Sequence, residues 1–236
     1  MATGEPFDWN DESMRSRMFV ASARDPRFAR TLIYNGATFK GQSVQSYVGG
    51  RNGRPLDGAT PTSYYLRKHI VEATSFVTGS EMSYQHIFPF FRYAEVLLNY
   101  AEALAAATQN PDFTGMKGEV EYTLSPREAL NAVRARYNMP GITETDYAAF
   151  VKRLRNERRV ELAFEGHRFW DIRRWKIGAE TTKVYGLTIT PQNDGSFSYV
   201  RSVIQQRGWD DRMNYYPIAD AELFKNHNLV QNDGWK

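Results

Sequence analysis

The chain has 236 residues, long enough to bury a substantial core and to form one domain or two. It is 42% hydrophobic and 24% charged, an ordinary globular balance, and its net charge of +3 is too small and dispersed for a dedicated nucleic-acid binder. Cysteine is absent, which excludes disulfides, thiolate metal sites and a cysteine nucleophile. The deviation is an aromatic content of 14%, which suits cores and binding platforms equally. No stretch approaches the roughly 18 apolar residues of a membrane-spanning helix. Met1–Asn10 carries Glu5 and Asp8, has no apolar centre, and does not read as a signal peptide.

Residues 1–88 read as loops and short strands. Thr31–Tyr34 and Ala37–Phe39 flank Asn35-Gly36, the pair a type I′ turn demands, which predicts a hairpin there. Gly41 to Gly58 is glycine-rich and polar and predicts an exposed loop or loose hairpin.

Helical periodicity begins after Pro89 and defines a helical core over 89–179. Tyr93, Leu97, Tyr100 and Leu104 mark an apolar stripe, with Glu95, Asn99 and Glu102 opposite. Asn110-Pro111 and the glycines at 115 and 118 end that helix. Ser125-Pro126-Arg127-Glu128 is a capping box with proline at the first helical position. Leu130, Val133 and Tyr137 form the next stripe, and Arg127, Asn131 and Arg134 its polar face. Two such helices predict an antiparallel hairpin of the tetratricopeptide type, without a recurring repeat. A third helix is expected from Thr143–Asp146 through Glu165, broken at Gly166, followed by a separate helical segment, His167 to Trp175. Residues 180–212 are expected to be irregular, with strand-like Gly186–Ile189 and a turn at Asn193-Asp194-Gly195. A short helix follows Pro217 around Asp220–Lys225, and the tail is polar.

The densest charges lie in Arg153–Glu161. Glu157, Glu161 and Glu165 recur at intervals of four, on the face of Phe150 and Leu154, with Arg158 nearby. They are either catalytic carboxylates of a glycoside hydrolase or members of an internal ion-pair network. The network is favoured, because carboxylates on one helix face point alike and do not flank a scissile bond. A nucleic-acid role for Arg168, Arg173 and Arg174 is disfavoured by the interleaved acids; Trp170 and Trp175 are expected to pack. His69, His86, His167 and His227 show no metal-ligand spacing, and no phosphate loop or nucleophile elbow is present. In Phe7-Asp8-Trp9-Asn10 a ring stands between groups that hydrogen-bond, as a sugar requires. On the residues alone, simple packing of Trp9 remains the favoured reading.

Several segments together resemble the SusD/RagB family. They are PFDWN (6–10), RDPRF with YNG (24–28 and 34–36), TPTSYYLRK (60–68) and FRYAEVLLNYAEAL (91–104). ALNAVRAR (129–136), RNERRVELAFEGHRFWDIRRW (155–175), YYPIADAE (215–222) and NLVQNDGW (228–235) follow in the family's order.

The resemblance implies a mainly α fold, a scaffold of tetratricopeptide-like hairpins with long loops and a few short β-hairpins. It matches the family's C-terminal half as one domain over 1–236, with an irregular region from 180. The family's N-terminal half, with its signal peptide, lipidated cysteine and remaining helices, is expected to be missing. The exposed helix faces would pack against that half. It further implies a non-catalytic lipoprotein on the outer face of the outer membrane of Bacteroidetes-type bacteria. Such a protein captures oligosaccharides or, in some relatives, peptides for a SusC-like TonB-dependent transporter, and meets the membrane only through its lipid anchor. The residues themselves point to no cofactor, to no metal-ligand spacing and to no nucleic-acid partner, and leave calcium open. Family motifs hold the fold, so ligand contacts are expected from loops: Trp9, Asp8, Asn10, Tyr47, Arg51 and Asn52. The competing functions are a peptide-binding helical-repeat adaptor and a hydrolase using Glu157, Glu161 or Glu165.

Overall fold

The computed structural model describes residues 1–85 and 87–235, so the reading of His86 lies outside the described residues. In chain order the elements are α1 (Glu12–Ser16), α2 (Pro26–Thr31), β1 (Leu32–Ile33), β2 (Thr38–Phe39), β3 (Gln42–Ser43) and β4 (Tyr65–Leu66). Then come α3 (Tyr93–Thr108), β5 (Gly115–Lys117), β6 (Val120–Tyr122), α4 (Pro126–Ala135), α5 (Tyr147–Glu161) and α6 (His167–Arg174). The chain closes with β7 (Lys183–Pro191), β8 (Phe197–Gln206) and α7 (Asp220–Lys225). The fold is mainly helical, with short antiparallel strand pairs. It divides into two compact units, one of residues 1–46 and 64–165, the other of residues 47–63 and 166–236.

The first unit is built on α3, which packs against both α4 and α5. Its buried stripe is Ala94, Leu98, Ala101 and Ala105, widened by Leu97 and Leu104. That corrects the expected stripe by one position: Tyr93 is 70% exposed and Glu95 is buried. Three alanines let the neighbouring helices approach closely, and that close packing outweighs the larger ring at 93. In α4 the Ser125 hydroxyl accepts from the Glu128 backbone N–H while the Glu128 carboxylate accepts from the Ser125 N–H, the capping box expected. Leu130 and Val133 meet Phe150 and Leu154 of α5, all fully buried, each contributing on the order of 1.5–3 kcal/mol by transfer from water. Arg134, expected on a solvated face, is buried instead.

The hairpin expected around Asn35-Gly36 does not form as such. Gly36 does turn the chain at φ +82°, but β1 pairs with the distant β4, and β2 pairs with β3 across Lys40-Gly41. Phe28, Tyr34 and Tyr64 gather into a small second core beside Ile33, and that packing outweighs the local turn preference. The third helix ends at Glu161 rather than Glu165, because Phe164 at φ +62° and Gly166 at φ +82° turn the chain.

In the second unit β7 and β8 form a long antiparallel hairpin; the strand-like Gly186–Ile189 and the turn at Asn193-Asp194-Gly195 were expected, but the rest of the hairpin lies where irregular chain was expected. Threonine, valine, isoleucine and tyrosine supply the β preference, and Gly195 at φ +82° makes the turn. Gly186 opens the strand-like run Gly186–Ile189 read from the sequence, which lies within β7. It is required there because a Cβ would meet the Pro61 carbonyl oxygen at 2.4 Å. Leu187 and Ile189 are buried, and the 47–63 segment lies along them: the Val48 N–H donates to the Ile189 carbonyl at 2.8 Å and the Ser63 hydroxyl to that of Leu187 at 2.7 Å. That segment is therefore a pinned series of turns with Gly50 and Gly53 buried, and only in part the exposed loop expected.

Candidate functional site

Asp146 caps α5 by accepting from the Ala149 N–H, and the helical phase then carries Phe150, Leu154, Glu157 and Glu161 inward. The turn after the helix brings Glu165 back to the same cluster. Four cations from four other parts of the first unit meet these acids. Arg27 of α2 donates to Glu157 at 2.5 Å and to Glu161 at 2.8 Å, and it grips Asp25 through two nitrogens at 3.0 and 2.7 Å. Arg134 at the end of α4 donates to Glu157 at 2.7 Å. Arg92, just before α3, donates to Glu161 at 2.5 Å and to Glu165 at 2.6 and 2.8 Å. Lys68 donates to Glu165 at 2.5 Å and to the Ala163 carbonyl at 2.9 Å.

Burial by itself would raise the Glu165 carboxyl, but the bonds from Arg92 and Lys68 hold it below its ordinary value. Burial likewise works against charge on Arg27, and its bonds to Asp25 and Glu157 more than reverse that. A carboxylate engaged by two cations accepts only. It has no proton to donate as a general acid and no free oxygen aimed at a substrate. The cluster is thus the ion-pair network favoured from the sequence, although its cations are not those of α5 itself. Arg158, expected near the glutamates, donates instead to the Asn99 side chain at 2.6 Å. A cavity of about 220 Å3 opens beside the cluster, lined among others by Arg27, Arg30, Lys68 and Arg92. Among the described residues, no group of three or more His, Asp or Glu side chains is placed to hold a metal ion.

The expected loop residues fall in two groups, each within its own unit. Asp8, Trp9 and Asn10 precede α1 in the first. The Asp8 carboxylate accepts from the Asn10 N–H at 2.9 Å, and Arg15 donates to the Trp9 carbonyl at 3.0 Å with its guanidinium 6.0 Å from the indole centroid. Trp9 is half-buried, while Asp8 and Asn10 are exposed. Tyr47, Arg51 and Asn52 lie in the second unit. Tyr47 leans on Phe197 at 5.2 Å between centroids; Arg51 is exposed and Asn52 half-buried.

The sequence reading missed one surface. Trp170, expected to pack, is 60% exposed and meets Phe169 edge-on at 5.1 Å and Tyr216 at 6.1 Å. Arg173 covers the Phe169 ring at 3.6 Å. The signal was present: adjacent Phe and Trp on a short helix cannot both point inward when Asp171 and Trp175 take the buried face. Trp175 does pack, as expected. In the first unit Phe76, Ile87, Phe90, Phe91 and Tyr93 are each 70–90% exposed.

Comparison with known proteins places these features in a lineage. The sequence profile of the SusD family matches residues 8–235. SusD-like protein P2 of Formosa agariphila is 33% identical over 146 residues, which is 60% of this chain and 24% of that protein. The crystal structure of a SusD-like protein from Bacteroides fragilis superposes with a TM-score of 0.71 at 28% identity, over 92% of this chain and 40% of that one. A SusD-like carbohydrate binding protein from the same species gives 0.65 at 28% identity, over 97% and 46%. The chain therefore spans less than half the length of each of these relatives.

Proposed function

Because the chain belongs to the SusD family, we propose that it serves a non-catalytic glycan-binding protein of the cell surface. That protein captures oligosaccharides on the outer face of the outer membrane and passes them to a SusC-like TonB-dependent transporter. A lipid anchor would hold that protein to the membrane. The observation that carries the non-catalytic part is the saturation of Glu157, Glu161 and Glu165 by Arg27, Arg134, Arg92 and Lys68. Acids held this way support a scaffold and not a hydrolase. The relative from Bacteroides fragilis described as carbohydrate binding supports the ligand class.

Contact is assigned to Asp8, Trp9 and Asn10 and to Tyr47, Arg51 and Asn52. An indole offers its face to the C–H side of a pyranose, while carboxylate, amide and guanidinium groups bind its hydroxyls. Titration of an oligosaccharide panel should find a binder whose affinity falls about tenfold or more in Trp9→Ala, since stacking and side-chain burial are worth on the order of 1.4 kcal/mol. The melting temperature should hold. Unchanged affinity would remove Trp9 from the site.

The exposed apolar residues Phe90, Phe91, Tyr93 and Val96 favour a second reading, a helical-repeat adaptor for peptides. Tight peptide binding with no affinity for any glycan would select it.

A further inference from the structure

The cavity beside the ion-pair cluster has a charge left over. Among the described residues, the cluster holds four cations, Arg27, Lys68, Arg92 and Arg134, against four carboxylates, Asp25, Glu157, Glu161 and Glu165. Four against four closes the count. Arg30, on α2, lines the same cavity and is exposed. Among the described residues it makes no hydrogen bond or ion pair. The wall therefore carries, in Arg30, a positive charge without an ion-pair partner among the described residues. Val160, Pro89 and Tyr137 make part of the rest of the lining apolar, which strengthens the field of a charge on the wall.

From this we propose that the cavity binds a singly charged oxyanion, the carboxylate or sulfate ester of an acidic sugar, with Arg30 as its principal contact. A cation is disfavoured, since it would face Arg30 while every carboxylate nearby is already engaged. A neutral group is disfavoured too, because filling the cavity would strip water from Arg30 and return no partner. About 220 Å3 lies below the roughly 300–1,000 Å3 of ordinary ligand pockets, which suits one sugar unit or its acidic group rather than a long chain. The sugar part of the proposal rests on the glycan reading above; the oxyanion part rests on Arg30 alone.

The test titrates the 236-residue chain, at low ionic strength, with D-glucuronate, glucose 6-sulfate and D-glucose, against the same chain carrying Arg30→Gln. At least one of the two anions should bind and glucose should not, and the anion preferred identifies carboxylate or sulfate as the natural group. Affinity should fall about tenfold or more in Arg30→Gln, as expected when a charge-assisted contact is lost. The melting temperature without ligand should not move, because Arg30 holds nothing in the fold. Glucose binding as well as the anions, an unaltered affinity in Arg30→Gln, or no binding of either anion would overturn the proposal. If the anions fail while a neutral oligosaccharide binds in a Trp9-dependent way, the cavity falls and the glycan reading stands. If the anions bind through Arg30 and no oligosaccharide binds, the glycan reading falls instead.

Discussion

The segment from Arg155 to Trp175 reads as one continuous motif, yet its two parts live under opposite conditions. Up to Glu165 it belongs to the helical unit, where Glu157, Glu161 and Glu165 are buried and tied to cations brought from elsewhere in the chain. From Gly166 onward it belongs to the other unit, where Phe169 and Trp170 stand 40% and 60% exposed. The charged part, which looks catalytic, is consumed by the fold. Phe169 and Trp170, which look like core, face solvent, while Trp175 packs. Residue type alone leaves the charged part open between two readings and misassigns Trp170; what each side chain touches decides.

Substitutions can break this contrast. The largest effect is expected for Glu157→Gln, which leaves Arg27 and Arg134 facing a neutral group inside the protein. Breaking one partner of a buried pair costs about 3–5 kcal/mol. Urea unfolding followed by circular dichroism would read it, and a loss under about 1 kcal/mol would mean the network contributes little. Acid should act next. The Glu165 carboxyl titrates below its ordinary value of 4.5 when folded. Its contribution is therefore complete above that value and is lost as the pH falls through the depressed one. Wild-type stability should drop below pH 4.5 more steeply than that of Glu165→Gln; parallel curves would show that Glu165 is not part of the response. The smallest effect belongs to the exposed part: Trp170→Ser should change stability by no more than about 0.5 kcal/mol. A loss as large as that of Glu157→Gln would show that the ring is packed in solution and would erase the contrast.

Some of the architecture was legible because it is governed by neighbours in the chain. The Ser125 capping box and the Asp146 cap within the expected start of α5 follow from side chains meeting backbone groups a few residues away. The inward phase of Glu157 and Glu161 follows from helical geometry in the same way. The pairing of β1 with β4 did not, since it closes a loop of some thirty residues past a good local turn. The identity of the cations that meet the glutamates was equally hidden: positions 27, 68, 92 and 134 have no short-range relation to 157, 161 and 165. The loop residues proposed for ligand contact, Trp9 and Tyr47 among them, stand out in the sequence by their chemistry alone. Their placement in separate units came only with the fold.

Taken alone, the sequence determined the helices from α3 onward, the Ser125 and Asp146 caps and the presence of a buried acidic face, because such features depend on periodicity and on groups within one or two turns; the short α1 and α2, in a region read as loops and strands, came only with the fold. Tertiary structure decided which cation neutralises which acid, that Arg30 is left over, and that Trp170 is exposed. Those outcomes depend on which distant segments the chain brings together, and burial and charge acquire their energetic weight only once they have met.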